Sequence, residues 1–179
     1  MVDVGANVGD SPLFFASKGY DVIAFEPVTP VFEIAMKNIN LNPELAKKIT
    51  LVNKGVSDKK ETIKIKYDWL GDGGASNFIE DGLYQAEAET LTIEDIISEF
   101  NIYNPYLLKM DCEGCEDSII FNSDLSMFEK IIFEYHTCFT GTQSNKLISK
   151  LENDGFKVTN IEGNDNIGVV HLEKNMINY

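Results

Sequence analysis

Gly5-Ala6-Asn7-Val8-Gly9 follows the apolar run Met1–Val4 and precedes a helix-like stretch that carries Pro12 near its start. The apolar run is typical of a buried strand, and Pro12 suits the first turn of a helix capped by Asp10 or Ser11. A strand, a glycine-bearing turn and a helix in this order place backbone N–H groups and a positive helix end against a ligand. The stretch therefore predicts a ligand-binding turn at the end of the first strand, where glycine permits close approach of the backbone.

The charges around this turn indicate which ligand it binds. Its spacing, G-x-x-x-G, differs from the G-x-G-x-x-G of dinucleotide-binding enzymes, and Asp3 beside it suits a cation better than a pyrophosphate. The next apolar run ends in Phe25-Glu26-Pro27. An acid about 20 residues after the glycine turn, Gly5–Gly9, can accept hydrogen bonds from both hydroxyls of a ribose. The pattern predicts S-adenosyl-methionine, with Glu26 on its ribose and Asp3 on its methionine ammonium; a tight turn in an ordinary β-α-β unit is the alternative.

Composition restricts the class of protein and of substrate. The 179 residues are enough for one α/β domain with a full core, so a single domain over residues 1–179 is predicted. No segment approaches the ~20 apolar residues of a membrane span, and no membrane association is expected. A net charge of −14 repels phosphate backbones, which argues against nucleic acid as a partner. Three cysteines, an odd number, argue against a disulfide framework and predict a reducing, cytoplasmic location.

The remaining patterns alternate strands and helices, with one interruption. Glu61–Tyr67 alternates apolar and polar residues like a half-exposed antiparallel strand, so residues 61–90 are interpreted as a hairpin or loop insertion. Gly71–Asn77 within it has the composition of an active-site lid or of an exposed hairpin loop. Phe156–Ile161 and Gly168–Leu172 predict an antiparallel hairpin near the C-terminus.

Acidic residues follow the predicted fourth strand, Tyr106–Met110. Ligands of doubly wound folds bind at the carboxyl ends of the strands, so Asp111 and Glu113 are predicted to be functional. Helix capping is the alternative for these acids, and it is the preferred interpretation for Glu116. The fifth strand, Lys130–Tyr135, leads into a histidine that is either a general base or a structural residue, His136.

Four blocks of the sequence resemble the FkbM-type methyltransferases and follow the order of that family. They are Val2–Gly9, Phe25–Pro27, Leu108–Glu116 and Phe133–His136, and Lys-x-Asp-x-Glu-Gly-x-Glu within the third is the most specific. The resemblance implies a class I methyltransferase fold, a Rossmann-like three-layer α/β sandwich. Its seven-stranded sheet has the order 3-2-1-4-5-7-6 with the seventh strand antiparallel. It also implies O-methylation of a hydroxyl on a sugar or small metabolite, with S-adenosyl-methionine as the cofactor.

The site expected from the residues and the resemblance together has a cofactor part and a catalytic part. Because the tip of a third strand, Ile49–Asn53, lies near the adenine in such sheets, Val56 is included in the adenine wall. The predicted cofactor-binding residues are Asp3, Gly5, Ala6, Asn7, Gly9, Glu26, Pro27, Val56 and Asp111. The predicted catalytic residues are Glu113, His136 and Asp111, with Glu113 or His136 as the base that accepts the hydroxyl proton.

Two departures from the family pattern matter. Family members usually carry residues before the first strand, so the chain is expected to be a minimal version or to begin inside a longer gene product. Cys112 and Cys115 replace small apolar residues. With His136 and Cys138 they form a possible metal set, or they form a redox pair, but the preferred interpretation is small buried side chains and no metal.

Two other functions compete with methyl transfer. An NAD-dependent reductase should carry G-x-G-x-x-G, which is missing, and the Tyr-x-x-x-Lys of short-chain members is not matched because Tyr106 and Lys109 are one residue too close. A non-catalytic adenosine- or S-adenosyl-methionine-binding module is the alternative outside enzymes. The acids of residues 111–116 argue against it, and the missing upstream segment favours it.

Overall fold

The computed structural model describes residues 1–67 and 84–175 of the chain. The strands formed by these residues are β1 (Val2–Val4), β2 (Val22–Phe25), β3 (Ile49–Val52), β4 (Gly55–Val56), β5 (Thr62–Tyr67), β6 (Tyr84–Leu91), β7 (Leu107–Met110), β8 (Lys130–His136), β9 (Phe156–Gly163) and β10 (Ile167–Lys174). The helices are α1 (Asp10–Ser17), α2 (Thr29–Asn40), α3 (Pro43–Ala46), α4 (Ile93–Glu99), α5 (Glu116–Asn122), α6 (Thr137–Thr140) and α7 (Ser144–Asn153). The strands named in the sequence analysis are present, with ends that differ by only a few residues.

Seven of these strands form one sheet in the order β3-β2-β1-β7-β8-β10-β9. Neighbours from β3 to β8 are parallel, and β10 is antiparallel to both β8 and β9. Numbering these seven along the chain gives 3-2-1-4-5-7-6 with the seventh antiparallel, so the predicted fold is confirmed. The strand order reverses between β1 and β7, and ligands of open α/β sheets bind outside the carboxyl ends at such a switch point.

Helices cover both faces of the sheet because alternate residues of a strand point to opposite sides. Val2 and Val4 of β1 lie in the main core together with side chains of α4, α5 and α7. On the opposite face, α1 packs near β2 and β3, with Ala16 of α1 buried beside Val22 and Ala24 of β2. Asp3 is directed to this second face, where α1 contacts it. The result is the expected three-layer arrangement.

A second, smaller sheet has the order β4-β6-β5. β5 and β6 are antiparallel, as predicted for Glu61–Tyr67, and Ile65 and Tyr67 are buried against Val28 and Val31 at the start of α2. The predicted lid, Gly71–Asn77, lies outside the described residues. The single domain over residues 1–179 stays a prediction. No helix of the described ranges is long and apolar enough to span a membrane.

The start of α1 departs from its prediction. Gly9 is the N-cap residue, with φ +90°, and no side chain caps the helix, so the expected cap by Asp10 or Ser11 was wrong. The reason is a competing partner, because the Ser11 hydroxyl donates to Asp3 Oδ2 at 2.6 Å. The first turn of α1 therefore stabilises a buried carboxylate beneath the glycine turn.

Gly5→Ala is expected to be strongly destabilising. A Cβ at this residue would lie 1.8 Å from the Asp111 carbonyl oxygen, and φ is +85°. Backbone overlap and left-handed strain together should lower the free energy of unfolding by roughly 3 kcal/mol or more, measured by urea denaturation. Gly19→Ala is the matched control, since Gly19 has φ +99° but an open surrounding, and it should lose only about 1 kcal/mol. If Gly5→Ala and Gly19→Ala lowered the free energy of unfolding equally, the close contact between Gly5 and Asp111 would be contradicted.

Candidate active site

The register of the central strands brings four chain segments to one edge of the sheet. Val4 of β1 lies opposite Phe25 of β2 and Met110 of β7, and Met110 lies opposite Phe133 of β8. The next residues along these strands therefore lie side by side at the carboxyl edge: Gly5, Glu26, Asp111 and Glu134. This edge is the switch point of the sheet, where a ligand is expected.

The glycine turn packs tightly against other parts of the chain. Gly5 approaches the backbone of Asp111 so closely that no side chain fits between them. A Cβ on Gly9 would lie 3.2 Å from backbone atoms of Ala35 in α2. Both glycines are therefore required by internal packing as well as by their positive φ angles.

The backbone donors of the turn are also used inside the protein. Gly5 and Ala6 both donate to the last carbonyl of β2, at 3.1 and 2.9 Å, and Gly9 donates to the Ala6 carbonyl. Asn7, with φ +45°, donates to Glu26 Oε2 at 3.0 Å. The expectation that these N–H groups face a ligand was therefore wrong, because they stabilise the turn itself. Because the N–H groups of Gly5, Ala6, Asn7 and Gly9 are used internally, the turn offers few donors to a phosphate, in agreement with a cationic ligand.

Glu26 is held by two backbone hydrogen bonds at the end of β2. Its Oε1 accepts from Val28 N at 2.9 Å and its Oε2 accepts from Asn7 N at 3.0 Å. Each carboxylate oxygen has a further lone pair, which suits it to two adjacent hydroxyls. Burial raises the pKa of Glu26 to about 7, although the two backbone hydrogen bonds oppose the shift.

A cavity of about 170 Å³ adjoins this edge of the sheet. Three of the predicted cofactor residues, Gly5, Pro27 and Val56, line it. Its apolar walls are completed by Val4, Phe25, Ile63, Ile65, Cys112 and Cys115. An apolar hollow beside a carboxylate-bearing strand end fits the flat base and the ribose of an adenosyl group.

A buried lysine joins the two sides of the switch point. Lys109 Nζ donates to the Gly5 carbonyl at 2.9 Å and lies 3.2 Å from Asp3 Oδ1 and 3.5 Å from Asp111 Oδ2. Asp3 is completely buried, and burial raises its pKa although Lys109 opposes the shift. Burial by itself lowers the pKa of Lys109, but the two carboxylates outweigh burial and raise it. Asp111 is the most exposed of the three charged side chains, at 37 %.

Two of the predicted catalytic residues are in contact. His136 Nε2 lies 3.4 Å from Glu113 Oε2 and 3.6 Å from Glu134 Oε1. Burial lowers the pKa of His136, so the ring is neutral at pH 7. Burial, and secondarily the charge of Asp111, raise the pKa of Glu113 to about 7, and the same two causes raise that of Glu134 to about 7. The group can therefore exchange a proton near neutral pH.

The loop that carries Glu113 is held in an unusual conformation. Glu113 has φ +56°, which is uncommon for a residue with a side chain and is typical of functional sites. Glu116 Oε1 accepts from Cys112 N at 2.7 Å, and Glu116 Oε2 accepts from Gly114 N at 2.8 Å. Glu116 is the buried first residue of α5, but its oxygens hold the loop before the helix, and no side chain caps α5, so the predicted capping role was wrong. Burial raises its pKa to about 7.

Cys112 and Cys115 form a disulfide across this loop. Both half-buried side chains pack against the main core, in agreement with the preferred interpretation as small apolar residues, and the bond between them matches the redox pair that was its alternative. The two cysteines can form this bond because both lie on one tight turn between β7 and α5. The side chain of Cys138 lies outside the described residues. In the described part of the chain, no group of three or more His, Cys, Asp or Glu residues could hold a metal ion.

Some residues of this edge were not singled out from the sequence. Lys109 was noted only within the Lys-x-Asp-x-Glu-Gly-x-Glu block, yet it contacts both β1 and the glycine turn. Its signal was a lysine in the middle of an otherwise apolar strand, since a buried lysine requires a charged partner. Ile63 and Ile65 of the insertion line the cavity, and nothing local distinguishes them from ordinary strand residues.

The sheet order and the edge just described define the class I methyltransferases. Residues 3–158 match the methyltransferase FkbM domain, and the chain belongs to that family. The family depends on S-adenosyl-methionine, so the predicted cofactor is confirmed. The reductase interpretation is not supported. No protein of curated function matches the sequence.

Solved structures share the fold at low identity. The methyltransferase FkbM from Methylobacillus flagellatus KT has a TM-score of 0.64 and 18 % identity, and the match covers 96 % of this chain and 42 % of that protein. This chain thus spans less than half of that relative's length. The magnesium protoporphyrin IX methyltransferase from Synechocystis PCC 6803, solved with bound S-adenosyl-methionine, has a TM-score of 0.55 at 10 % identity, over 97 % of this chain and 69 % of that one. The precorrin-6y C5,15-methyltransferase from Geobacter metallireducens GS-15 has a TM-score of 0.53 at 14 % identity, and the match covers 98 % of this chain and 78 % of that protein.

The raised pKa values predict that the protein loses stability as the pH rises. Glu26 and Glu116 have folded-state pKa values of about 7 against ordinary values of 4.5, so the folded state binds more protons between these limits. Their contribution is complete below pH 4.5 and is lost as the pH passes 7. The free energy of unfolding should fall from pH 5 to pH 8 by on the order of 5 kcal/mol, measured by urea denaturation. Glu116→Gln should flatten this dependence, whereas Glu129→Gln, which removes an exposed acid, should not. A free energy that is constant or rises with pH would contradict the shifts.

Proposed function

We propose that the chain is an S-adenosyl-methionine-dependent O-methyltransferase that acts on a hydroxyl of a sugar or small metabolite. The observation that supports this proposal most directly is the contact of 3.4 Å between Glu113 and His136 at the same sheet edge as Glu26 and Asp111. This contact places two residues that can accept a proton beside residues that are suited to bind a cofactor. Bound S-adenosyl-methionine would supply an electrophilic methyl group on a sulfonium.

The cofactor-binding residues divide between the two ends of that molecule. Glu26 receives the ribose hydroxyls, while Pro27 and Val56 line the adenine side of the cavity. The turn formed by Gly5, Ala6, Asn7 and Gly9 shapes the space for the methionyl end. Asp111 and the buried Asp3 supply negative charge there, which favours an ammonium and a sulfonium.

The catalytic group positions the acceptor and takes its proton. An alcohol is a weak nucleophile until its proton is accepted, and a positioned base contributes about 10²–10⁴-fold to the rate. His136 is neutral at pH 7 and Glu113 titrates near pH 7, so this pair can accept one proton. Alignment of the hydroxyl with the methyl group supplies a further part of the acceleration.

The charge of the edge indicates the class of acceptor. Asp111, Glu113 and Glu134 present carboxylates that accept hydrogen bonds from hydroxyls and repel anions. The net charge of −14 acts in the same direction. The acceptor is therefore a small, uncharged or cationic hydroxylated molecule, rather than a phosphate ester or nucleic acid. The cytoplasmic location remains a prediction, and the Cys112–Cys115 disulfide weakens the argument from the cysteines on which it was based.

Glu26→Gln should weaken S-adenosyl-methionine binding by about tenfold or more, because one charged acceptor for a ribose hydroxyl is lost. Isothermal titration calorimetry measures this change, and circular dichroism checks that the fold is unchanged. Glu44→Gln is the matched control, since Glu44 is an exposed acid that pairs with Lys47 and is not among the residues that line the cavity. Equal affinities of the Glu26 variant and the parent would contradict the ribose assignment.

Glu113→Gln should lower kcat at least about 10²-fold and leave the cofactor Kd unchanged. Labelled methyl donor and a panel of neutral sugars, amino sugars and sugar phosphates provide the assay, in which the phosphates should not be methylated. The parent rate should rise as the pH passes 7, where Glu113 loses its proton. Asp117→Asn, four residues further along, is the control and should keep the parent rate. Cofactor binding without methylation of any acceptor would favour the non-catalytic module instead.

A further inference from the structure

We infer that Lys109 is a positioning residue for the amino-acid end of the cofactor, acting through Asp111 and the Gly5 carbonyl rather than by contact with the ligand. This inference rests on the proposed cofactor placement. Neither the predicted site nor the family match assigns this lysine a role.

The first argument is geometric. The Lys109 ammonium lies within 3.5 Å of Asp3 in β1, of the Gly5 carbonyl in the glycine turn and of Asp111, which follows β7. Its side chain is 11 % exposed, so bulk water does not replace these contacts. Because Gly5 O is held by this ammonium, the turn keeps one position relative to β7. Loss of the ammonium would free the carbonyl and the Asp111 carboxylate together.

The second argument concerns charge. Asp3 and Asp111 carry two negative charges at neighbouring strand ends, and Lys109 carries one positive charge between them. The group therefore retains one net negative charge, and Asp111 is its exposed member. Asp111 is also more exposed than Glu113 and Glu134 beside it, and an exposed carboxylate at this place suits the ammonium of a methionyl group. Asp3 is fully buried and contributes by holding Lys109, which explains why an acid lies inside β1.

The test compares ligands with and without the amino-acid end. S-adenosyl-methionine and the neutral thioether S-adenosyl-homocysteine both carry this end, and 5′-methylthioadenosine is the adenosyl thioether without it. A loss of affinity shared by the first two ligands therefore does not come from the sulfonium charge. Lys109→Met should weaken the binding of S-adenosyl-methionine and S-adenosyl-homocysteine by about tenfold or more and leave 5′-methylthioadenosine binding nearly unchanged, by calorimetry. Lys130→Met is the matched control: it removes a lysine from the neighbouring strand whose partner, Glu173, lies away from the cavity. In Lys130→Met, the affinities for the ligands with and without the amino-acid end should remain at the parent values.

A purely structural role for Lys109 predicts a different result. All three ligands would then bind more weakly by the same factor, and that outcome would overturn the inference, as would an unchanged affinity for S-adenosyl-methionine. If Lys109→Met does not fold, the double variant Asp3→Asn/Lys109→Met, which removes both members of the most buried ion pair, gives the same comparison. A loss of affinity confined to the two ligands with the amino-acid end supports the inference, and a parent-like ratio overturns it. A parent protein that binds none of these ligands would overturn the proposed cofactor placement and the inference with it.

Discussion

The close contact between Gly5 and the carbonyl of Asp111 is the constraint on which the rest of the site depends. No side chain fits at Gly5, because the glycine turn lies directly against the end of β7. This approach brings the Gly5 carbonyl within reach of Lys109 and places Asp111 beside the turn. The same turn carries Asn7, whose N–H holds Glu26. The turn and its contact with β7 thus bring three charged side chains, Lys109, Asp111 and Glu26, to one edge of the sheet.

The site concentrates carboxyl groups in a protein that is already strongly acidic. Glu26, Glu113, Glu116 and Glu134 each have a pKa of about 7, with burial as the first cause. Backbone hydrogen bonds hold the two most buried of these acids, Glu26 and Glu116, and Lys109 is the buried cation that pairs with Asp3 and Asp111 in the described residues. Such an arrangement reduces stability at neutral pH, and this cost is typical of functional sites.

The interpretation of the sequence was right where the signal was local and repeated. Short apolar runs placed the strands, and the alternation in Glu61–Tyr67 identified an antiparallel element. It was wrong about the cap of α1 and about the N–H groups of Gly5, Ala6, Asn7 and Gly9, which were expected to face a ligand. In both cases a partner distant in sequence, Asp3 for Ser11 and the last carbonyl of β2 for Gly5, took the group that local rules had assigned elsewhere.

Apolar periodicity located the strands and the acids at their ends indicated the cofactor, because each strand must bury its apolar residues and because parallel strands place their carboxyl ends on one edge. The family and the sheet order came from the motif blocks, through the resemblance that they carry. The tertiary structure decided which of those acids are buried, which are exposed and which share a proton. It also decided that Lys109 links β1 to β7 and that two cysteines join, since these facts depend on distances between segments that lie far apart in the chain or on the exact path of one loop.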